Sequence, residues 1–401
     1  MKIVHITQYD VKGFIESAAY KIHKSLIKAG FESRMLVIEK NTTDQNVTKI
    51  KTNAIINSIQ KNLNNRLCKP EIIPDSSFSF GIFGIDISGH SLVRNADIIH
   101  LHQMSEKPFG VESIQKIIRL KKKIVWTLQD SCAFTGGCHY TGACENFKIE
   151  CKNCPQLDFP GENDISFKIF TKKAGFLQNA HMCVICSSDA LRNQTQESAL
   201  LKKQIITTIQ NPVDTSIFRQ SVRMQGKKKY ILYGGEIHHT NGGWNDFLSS
   251  ITLFEQSQPE LSSFCEIIIL SDQEIPSVPD VKMKINSAGI VSNTNQLAGI
   301  LTMCSIFVLP LLEENTNTIL LEALSCGLPS VTFFVNGINE VIIHKENGYV
   351  AQFKNNTDLA AGIEWCLNNR ETAGKNAIER MNKINKDEIV SSLYIETYKG
   401  I

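Results

Sequence analysis

Short apolar runs alternate with segments of helical period along most of the chain, and they do so in two blocks. In the first block KIVHIT is followed by ESAAYKIHKSLIKAG, where Ala18, Ala19, Ile22, Leu26 and Ile27 recur at helical spacing and Gly30 ends the helix. ESRMLVI, DIIHLH, KIVWTLQD and MCVICSS read as further strands, with VESIQKIIRLKK and DALRNQTQESALL as helices between them, Asp189 capping the latter. The second block has strands KYILYGG, CEIIILS, SIFVLP and SVTF, and helices NDFLSSITLFEQS, NQLAGILTMC and NTILLEALSC. Strand–helix alternation implies parallel sheets joined by right-handed crossovers. A chain of 401 residues also exceeds what one hydrophobic core usually serves. The expected organisation is α/β, with one Rossmann-like domain over 1–208 and a second over 209–380. A C-terminal helix, 381–401, would pack back on the first. Residues 41–90 are polar and take no assignment.

Bulk charge excludes some functions. The formal net charge is +2, so no global basic field points to nucleic acid. MKIVHITQYD opens on a strand-like run rather than a secretion signal, and no apolar run reaches the roughly 18 residues that span a bilayer. Twelve cysteines without a secretion signal suit a reducing cytoplasm.

EENTNTILLEALSCGLPSVTF, Glu313 to Phe333, carries the most chemistry. Asn315, Thr316 and Asn317 suit the start of a helix that Gly327 and Pro329 end. Glu322 falls among Leu320, Leu321, Ala323 and Leu324, where a carboxylate needs donors to offset desolvation. Glu314 lies eight residues earlier, outside the helix. A phosphate on the helix N-terminus, with one carboxylate on a ribose and the other on a sugar, satisfies all three features. That is a nucleotide-sugar site.

This segment resembles the E-x7-E signature of retaining glycosyltransferases of family four, which have the GT-B fold of two Rossmann-like domains with parallel sheets facing a cleft. FFVNGINEVIIHKENGYVA and NPVDTSIF are similar to segments of the same family. The N-terminal MKIVHIT…AAYKIHKSLIKAGFESRMLV and WTLQDSCAFTGGCHYTGACENFKIECKNCPQL resemble its bacterial branch that builds capsule, exopolysaccharide or O-antigen. The resemblance implies transfer of a sugar from a nucleotide-diphosphate sugar, with retention of configuration and no catalytic metal. The implied acceptor is a lipid-linked glycan, at the inner face of the plasma membrane. Glu322 would hold the ribose and Glu314 the donor sugar, with the backbone of Asn315 to Asn317 at the phosphates. Gly234, Gly235 and Gly13 would also lie on the donor side, and Gln129 and Asp130 near the reacting sugar.

Three stretches depart from that pattern. ILYGGEIHHTNGGW is a strand running into a glycine-rich loop, but Glu236 and Asn241 stand where the family has an arginine and a lysine on the diphosphate. Gln129 stands where the branch has a histidine, and glutamine cannot exchange a proton near neutral pH. Lys12, Phe14 and Ile15 replace small residues in DVKGFIES. The departures leave a second reading open, a weakened or inactive homologue that binds nucleotide sugar or a partner transferase. An epimerase of similar fold fits the E-x7-E segment less well.

Two further features stand apart. Cys138, Cys144, Cys151 and Cys154 lie in a glycine-containing loop within 132–157. A structural zinc held by all four is the leading reading, with free thiols or disulfides as the others. KIIRLKKK, Lys116 to Lys123, is either a solvated face or a contact with anionic lipid.

Overall fold

Strand β1 (Lys2–Tyr9) is buried along nearly its whole length, and its neighbours pair with it in parallel. Such continuously apolar strands belong to sheets covered on both faces. The computed structural model describes the chain except for residues 14, 52–57, 59–61, 64–76, 80, 106–107, 221–226, 236, 238–241, 271–274 and 313–317; the side chain of residue 15 is also outside the description. The described residues form two compact units. The first comprises 1–12, 16–210 and 390–401, and the second 13–15 and 211–389.

In the first unit, β1 is joined by β2 (Glu32–Glu39), β3 (Val47–Lys49), β4 (Ile98–Leu101), β5 (Lys123–Leu128), β6 (Cys183–Cys186) and β7 (Ile205–Thr208). They make a parallel seven-stranded sheet in the order β3-β2-β1-β4-β5-β6-β7. The connection from β1 to β2 runs through α1 (Ala18–Lys28), whose Ser17 side chain accepts from the Tyr20 amide, while Gly30 turns the chain out at φ +83°. Helices α2 (Val111–Ile118), α3 (Ile165–Leu177) and α4 (Asp189–Glu197) follow β4, β5 and β6. Ser188, rather than Asp189, caps α4, because its hydroxyl is the group that reaches the Leu191 amide.

The second unit holds β8 (Lys229–Tyr233), β9 (Cys265–Ile269), β10 (Ile285–Ser287), β11 (Ile306–Val308), β12 (Ser330–Phe333) and β13 (Gly348–Ala351). This parallel six-stranded sheet has the order β10-β9-β8-β11-β12-β13. Its crossover helices are α5 (Trp244–Ser257), α6 (Thr294–Met303) and α7 (Thr318–Ser325), followed by α8 (Asn356–Asn368) and α9 (Arg370–Ile384). Alternation along β8 divides the core: Leu232 joins one apolar cluster, and Ile231 and Tyr233 join the other. The last helix, α10 (Asp387–Gly400), supplies Val390, Tyr394 and Tyr398 to the core of the first unit, beside Ile3, Ile98 and Val125.

In each sheet the chain starts near the middle and reverses its direction of growth. The reversal falls between β1 and β4 in the first unit and between β8 and β11 in the second. In sheets of this kind, ligands bind beyond the carboxyl ends of the strands at such a reversal.

Candidate functional site

In the second unit the reversal brings two loops together, one leaving β8 and one leaving β11. The first is the glycine-rich loop, and its glycines have a local cause. The Gly234 amide donates to Val308 O at 3.0 Å, and a Cβ at Gly234 would stand 2.1 Å from the Phe307 ring. A Cβ at Gly235 would lie 2.4 Å from both Gly242 O and the Tyr233 hydroxyl, which itself donates to Gly242 O at 2.8 Å. Gly243 has φ +70°, and a Cβ there would meet Pro310 O at 2.1 Å. The strand therefore breaks where expected and opens onto α5.

Two cations at the start of β8 are placed away from this loop. Lys228 pairs with Glu266, and Lys229 begins the strand, five residues or roughly 13–17 Å from its carboxyl end. Glu236, His238, His239 and Asn241 lie outside the described residues.

The loop leaving β11 leads into α7. Every residue from Ile319 to Ser325 is buried, and Glu322 is 2% exposed. Gly327, at φ +72°, ends the helix, with the Leu328 amide donating to Ala323 O and the Gly327 amide to Leu324 O. This is the glycine stop read from SCGLP. Glu314, Asn315, Thr316 and Asn317 lie outside the described residues.

In the first unit, the loops after β4 and β5 line a small pocket of about 40 Å³. His102 and Met104 come from one loop, and Gln129 and Asp130 from the other, with Ser79, Trp126 and Lys173 completing much of the wall. Asp130 Oδ1 accepts from the Cys132 amide at 2.8 Å, while Oδ2 lies 2.7 Å from His139 Nδ1. The other nitrogen of that ring, Nε2, is 2.6 Å from Ser79 Oγ. Lys173, 5% exposed, donates to Cys132 O and to Thr135 O. Gly13 lies apart, in the exposed turn between Val11–Lys12 and Ile15–Glu16, at φ +60° with open space around it. Lys12 is exposed and sits over the Tyr9 ring; Phe14 lies outside the description.

The structure lends the zinc expectation no support: among the described residues the only group of three ligand atoms within 4.8 Å is His5, His100 and His102. Cys138, Cys144, Cys151 and Cys154 are in no disulfide. Cys138 is held in a bridge to Phe78, Cys151 Sγ accepts from the Gly136 amide at 3.2 Å, and the Cys154 amide donates to Asp164. Burial pushes the Cys151 thiol up to about 12 and Cys154 to about 11, and Cys138 still higher.

The basic run is largely engaged within the fold. Lys116 pairs with Asp86 at 3.2 Å, Lys122 donates to Ala96 O, and Lys123 donates to Ile401 O. No helix among the described residues is long and apolar enough to cross a membrane.

Two groupings escaped sequence reasoning. One is the Ser79–His139–Asp130 chain, whose only sequence signal is a histidine nine residues after Asp130. The other is the cluster of His5, His100 and His102, all at most 2% exposed. Here the signal was present, since VHIT and HLH lie on adjacent strands and His5 is in register with His100. His5 Nδ1 is 3.0 Å from His102 Nε2. The His100 nitrogens meet the Tyr398 and Thr127 hydroxyls, each at 2.7 Å. Both His100 nitrogens are thus taken by hydroxyls, and the arrangement is a hydrogen-bonded network.

Residues 228–369, from β8 to the end of α8, match the family described as Glycosyl transferases group 1. That match lies within the second unit and spans about a third of the chain. It holds the glycine-rich loop and Glu322. Among curated proteins the chain is similar to N-acetyl-alpha-D-glucosaminyl L-malate synthase of Bacillus anthracis, 25% identical over 54% of this chain and 59% of the relative. It thus spans less than two thirds of that relative's length. Over 20% of the chain it is 28% identical to 23% of the colanic acid biosynthesis glycosyl transferase WcaC, a putative assignment, of Escherichia coli. Among solved structures, Anabaena Alr3699/HepE in complex with UDP superposes with a TM-score of 0.65 at 12% identity, covering 100% of both chains. The two parallel-sheet units therefore match the GT-B fold.

Proposed function

We propose that this chain transfers a sugar from a nucleotide-diphosphate sugar to a hydroxyl group of a glycan. The observation that carries the reading is the Glu322 carboxylate, 2% exposed on the helix that begins beyond the strand-order reversal of the group 1 domain. A carboxylate so placed takes ribose hydroxyls at little further desolvation cost, since that cost has been met in folding. Glu314, eight residues earlier, would take the donor sugar, with the Asn315 to Asn317 backbone on the phosphates. Gly234 and Gly235 would bring the backbone close to the diphosphate. The UDP bound by Anabaena HepE makes UDP-sugars the first donors to try.

The resemblance to retaining enzymes supports retention of configuration. The similarity to WcaC supports a part in polysaccharide biosynthesis, and the family resemblance supports a lipid-linked acceptor used at the inner membrane face. The second reading, binding without turnover, is favoured by Glu236 and Asn241 standing where cations are expected.

Glu322→Gln should weaken UDP binding by about 10- to 100-fold, the loss of one or two hydrogen bonds to a charged acceptor. Calorimetry with UDP measures this, and an affinity unchanged from the parent would remove Glu322 from the site. Release of UDP from UDP-sugars separates transfer from mere binding.

A further inference from the structure

Away from the loops leaving β8 and β11, the second unit carries a groove along the edge of its sheet. β13 is the last strand of that sheet, two places beyond β11. The groove beside it holds about 620 Å³, within the roughly 300–1,000 Å³ of ordinary ligand sites. Phe334 forms part of its wall just past the end of β12. That ring is 53% exposed, although the Phe334 amide is fixed by a 2.7 Å bond to Ala351 O.

The edge of β13 is closed to a further strand. Gly348 O accepts from the Lys345 amide at 2.8 Å, and the Val350 amide donates to His344 Nδ1 at 3.2 Å. Just beyond the strand, the Gln352 amide donates to Asp358 Oδ2 at 2.7 Å. An added peptide strand needs those groups for itself. Anions are disfavoured too. Asp358 lines the groove, whereas among the described residues no lysine or arginine does, and Lys345 lies over the Tyr349 ring.

The remaining polar capacity suits hydroxyl groups. Because His344 Nδ1 accepts from the Val350 amide, the ring proton sits on Nε2, which is left as a donor. Gln352 Oε1 accepts from Asn355 at 3.2 Å, so the Gln352 side-chain nitrogen is left to donate. Asp358 takes the Tyr349 hydroxyl on Oδ1 and the Gln352 amide on Oδ2, and each oxygen keeps a second lone pair. Asn339, exposed in the same lining, offers both a donor and an acceptor. A sugar ring presents the complement, with hydroxyls at its rim that donate and accept and C–H groups on its face for an aromatic ring.

We infer that this groove binds a neutral oligosaccharide, with a sugar face on Phe334 and neighbouring hydroxyls shared among Asn339, His344, Gln352 and Asp358. The inference stands on the second unit alone and does not depend on turnover of a donor. Under the transferase reading above, the groove holds a segment of the glycan other than the hydroxyl that reacts.

The test uses the full chain, with UDP present, and the neutral trisaccharides maltotriose, cellotriose and triacetylchitotriose as probes. Saturation-transfer NMR and calorimetry are the readouts. At least one trisaccharide should bind, and Phe334→Ala should weaken it by about tenfold, the loss of one stacked aromatic ring. Phe334→Trp should keep the binding, and its indole fluorescence should change as the sugar is added. Both variants alter a half-exposed ring, so both should fold and hold UDP within about twofold of the parent. Binding that is equal in the parent and Phe334→Ala, or no binding of any trisaccharide at millimolar concentration, overturns the inference. Self-association that Phe334→Ala abolishes, with no sugar bound, assigns the groove to a second copy of the chain and overturns it as well. UDP affinity is measured separately, so failure of the transferase reading is distinguishable from failure of the groove.

Discussion

Between pH 6.5 and pH 4 the first unit should unfold. His5, His23, His100 and His102 are all held below the usual imidazole range, chiefly because burial disfavours the charged ring. His102 is lowered to about 3 and His23 to about 4, although Asp44 opposes the shift at His23. A group whose folded pKa lies below its unfolded value binds fewer protons in the native state. Its contribution is therefore present above the unfolded value near 6.5 and is lost as pH falls toward the folded value. For His102 alone the loss by pH 4 is about 3 kcal/mol, at about 1.4 kcal/mol per pH unit. His5 and His100 are shifted in the same direction in the same cluster, against a typical total stability of about 5–15 kcal/mol. Trp126 lies on β5, in register with Leu101 at the end of β4, so its fluorescence reports this unit. A first unit that remains folded at pH 4, or an acid midpoint unmoved in His102→Asn, would contradict the assignment.

Gly243→Ala should cost about 2–5 kcal/mol in the second unit. An alanine at φ +70° bears about 1–2 kcal/mol of left-handed strain. Its Cβ would also lie 2.1 Å from Pro310 O, a backbone atom that cannot swing away, and such overpacking adds about 1–3 kcal/mol. Gly13→Ala is the control, because it has φ +60° but nothing within 4 Å of the added carbon. It should show the strain alone. Urea unfolding followed through Trp244 and Trp365 resolves the second unit, as two units need not unfold in one transition. Equal losses in the two variants would mean that the contact with Pro310 is relieved at no cost.

The interior of both sheets was legible in the sequence. β1, β2, β4, β5 and β6, and likewise β8, β9, β11 and β12, are short, mainly apolar and largely buried runs, set between segments of helical period. Within the two large sheets, the strands not read from the sequence are β3, β7, β10 and β13, and each lies at a sheet edge. Edge strands keep fewer apolar neighbours, and β7 and β10 contain no fully buried residue. The glycine stop of α7 and the burial of Glu322 were equally readable, because helix ends and apolar surroundings are local properties. His139 was not, because its partners are set by a loop that brings Ser79, 60 positions away, to the ring. The cysteine spacing carried less, because proximity along the chain does not by itself bring three ligand atoms within 4.8 Å, and among the described residues these cysteines form no such group.

The return of α10 to the first unit has a consequence for how the molecule is made. His100 and Tyr398 are hydrogen-bonded across 298 positions, and the whole of 211–389 intervenes. During synthesis the first sheet emerges early, with the face bearing Ile3, Ile98 and His100 still lacking Val390, Tyr394 and Tyr398. The second unit has no such dependence and can close on its own residues. The half of the protein translated first is thus the half finished last, and until then its histidine layer stays open to water and to protons.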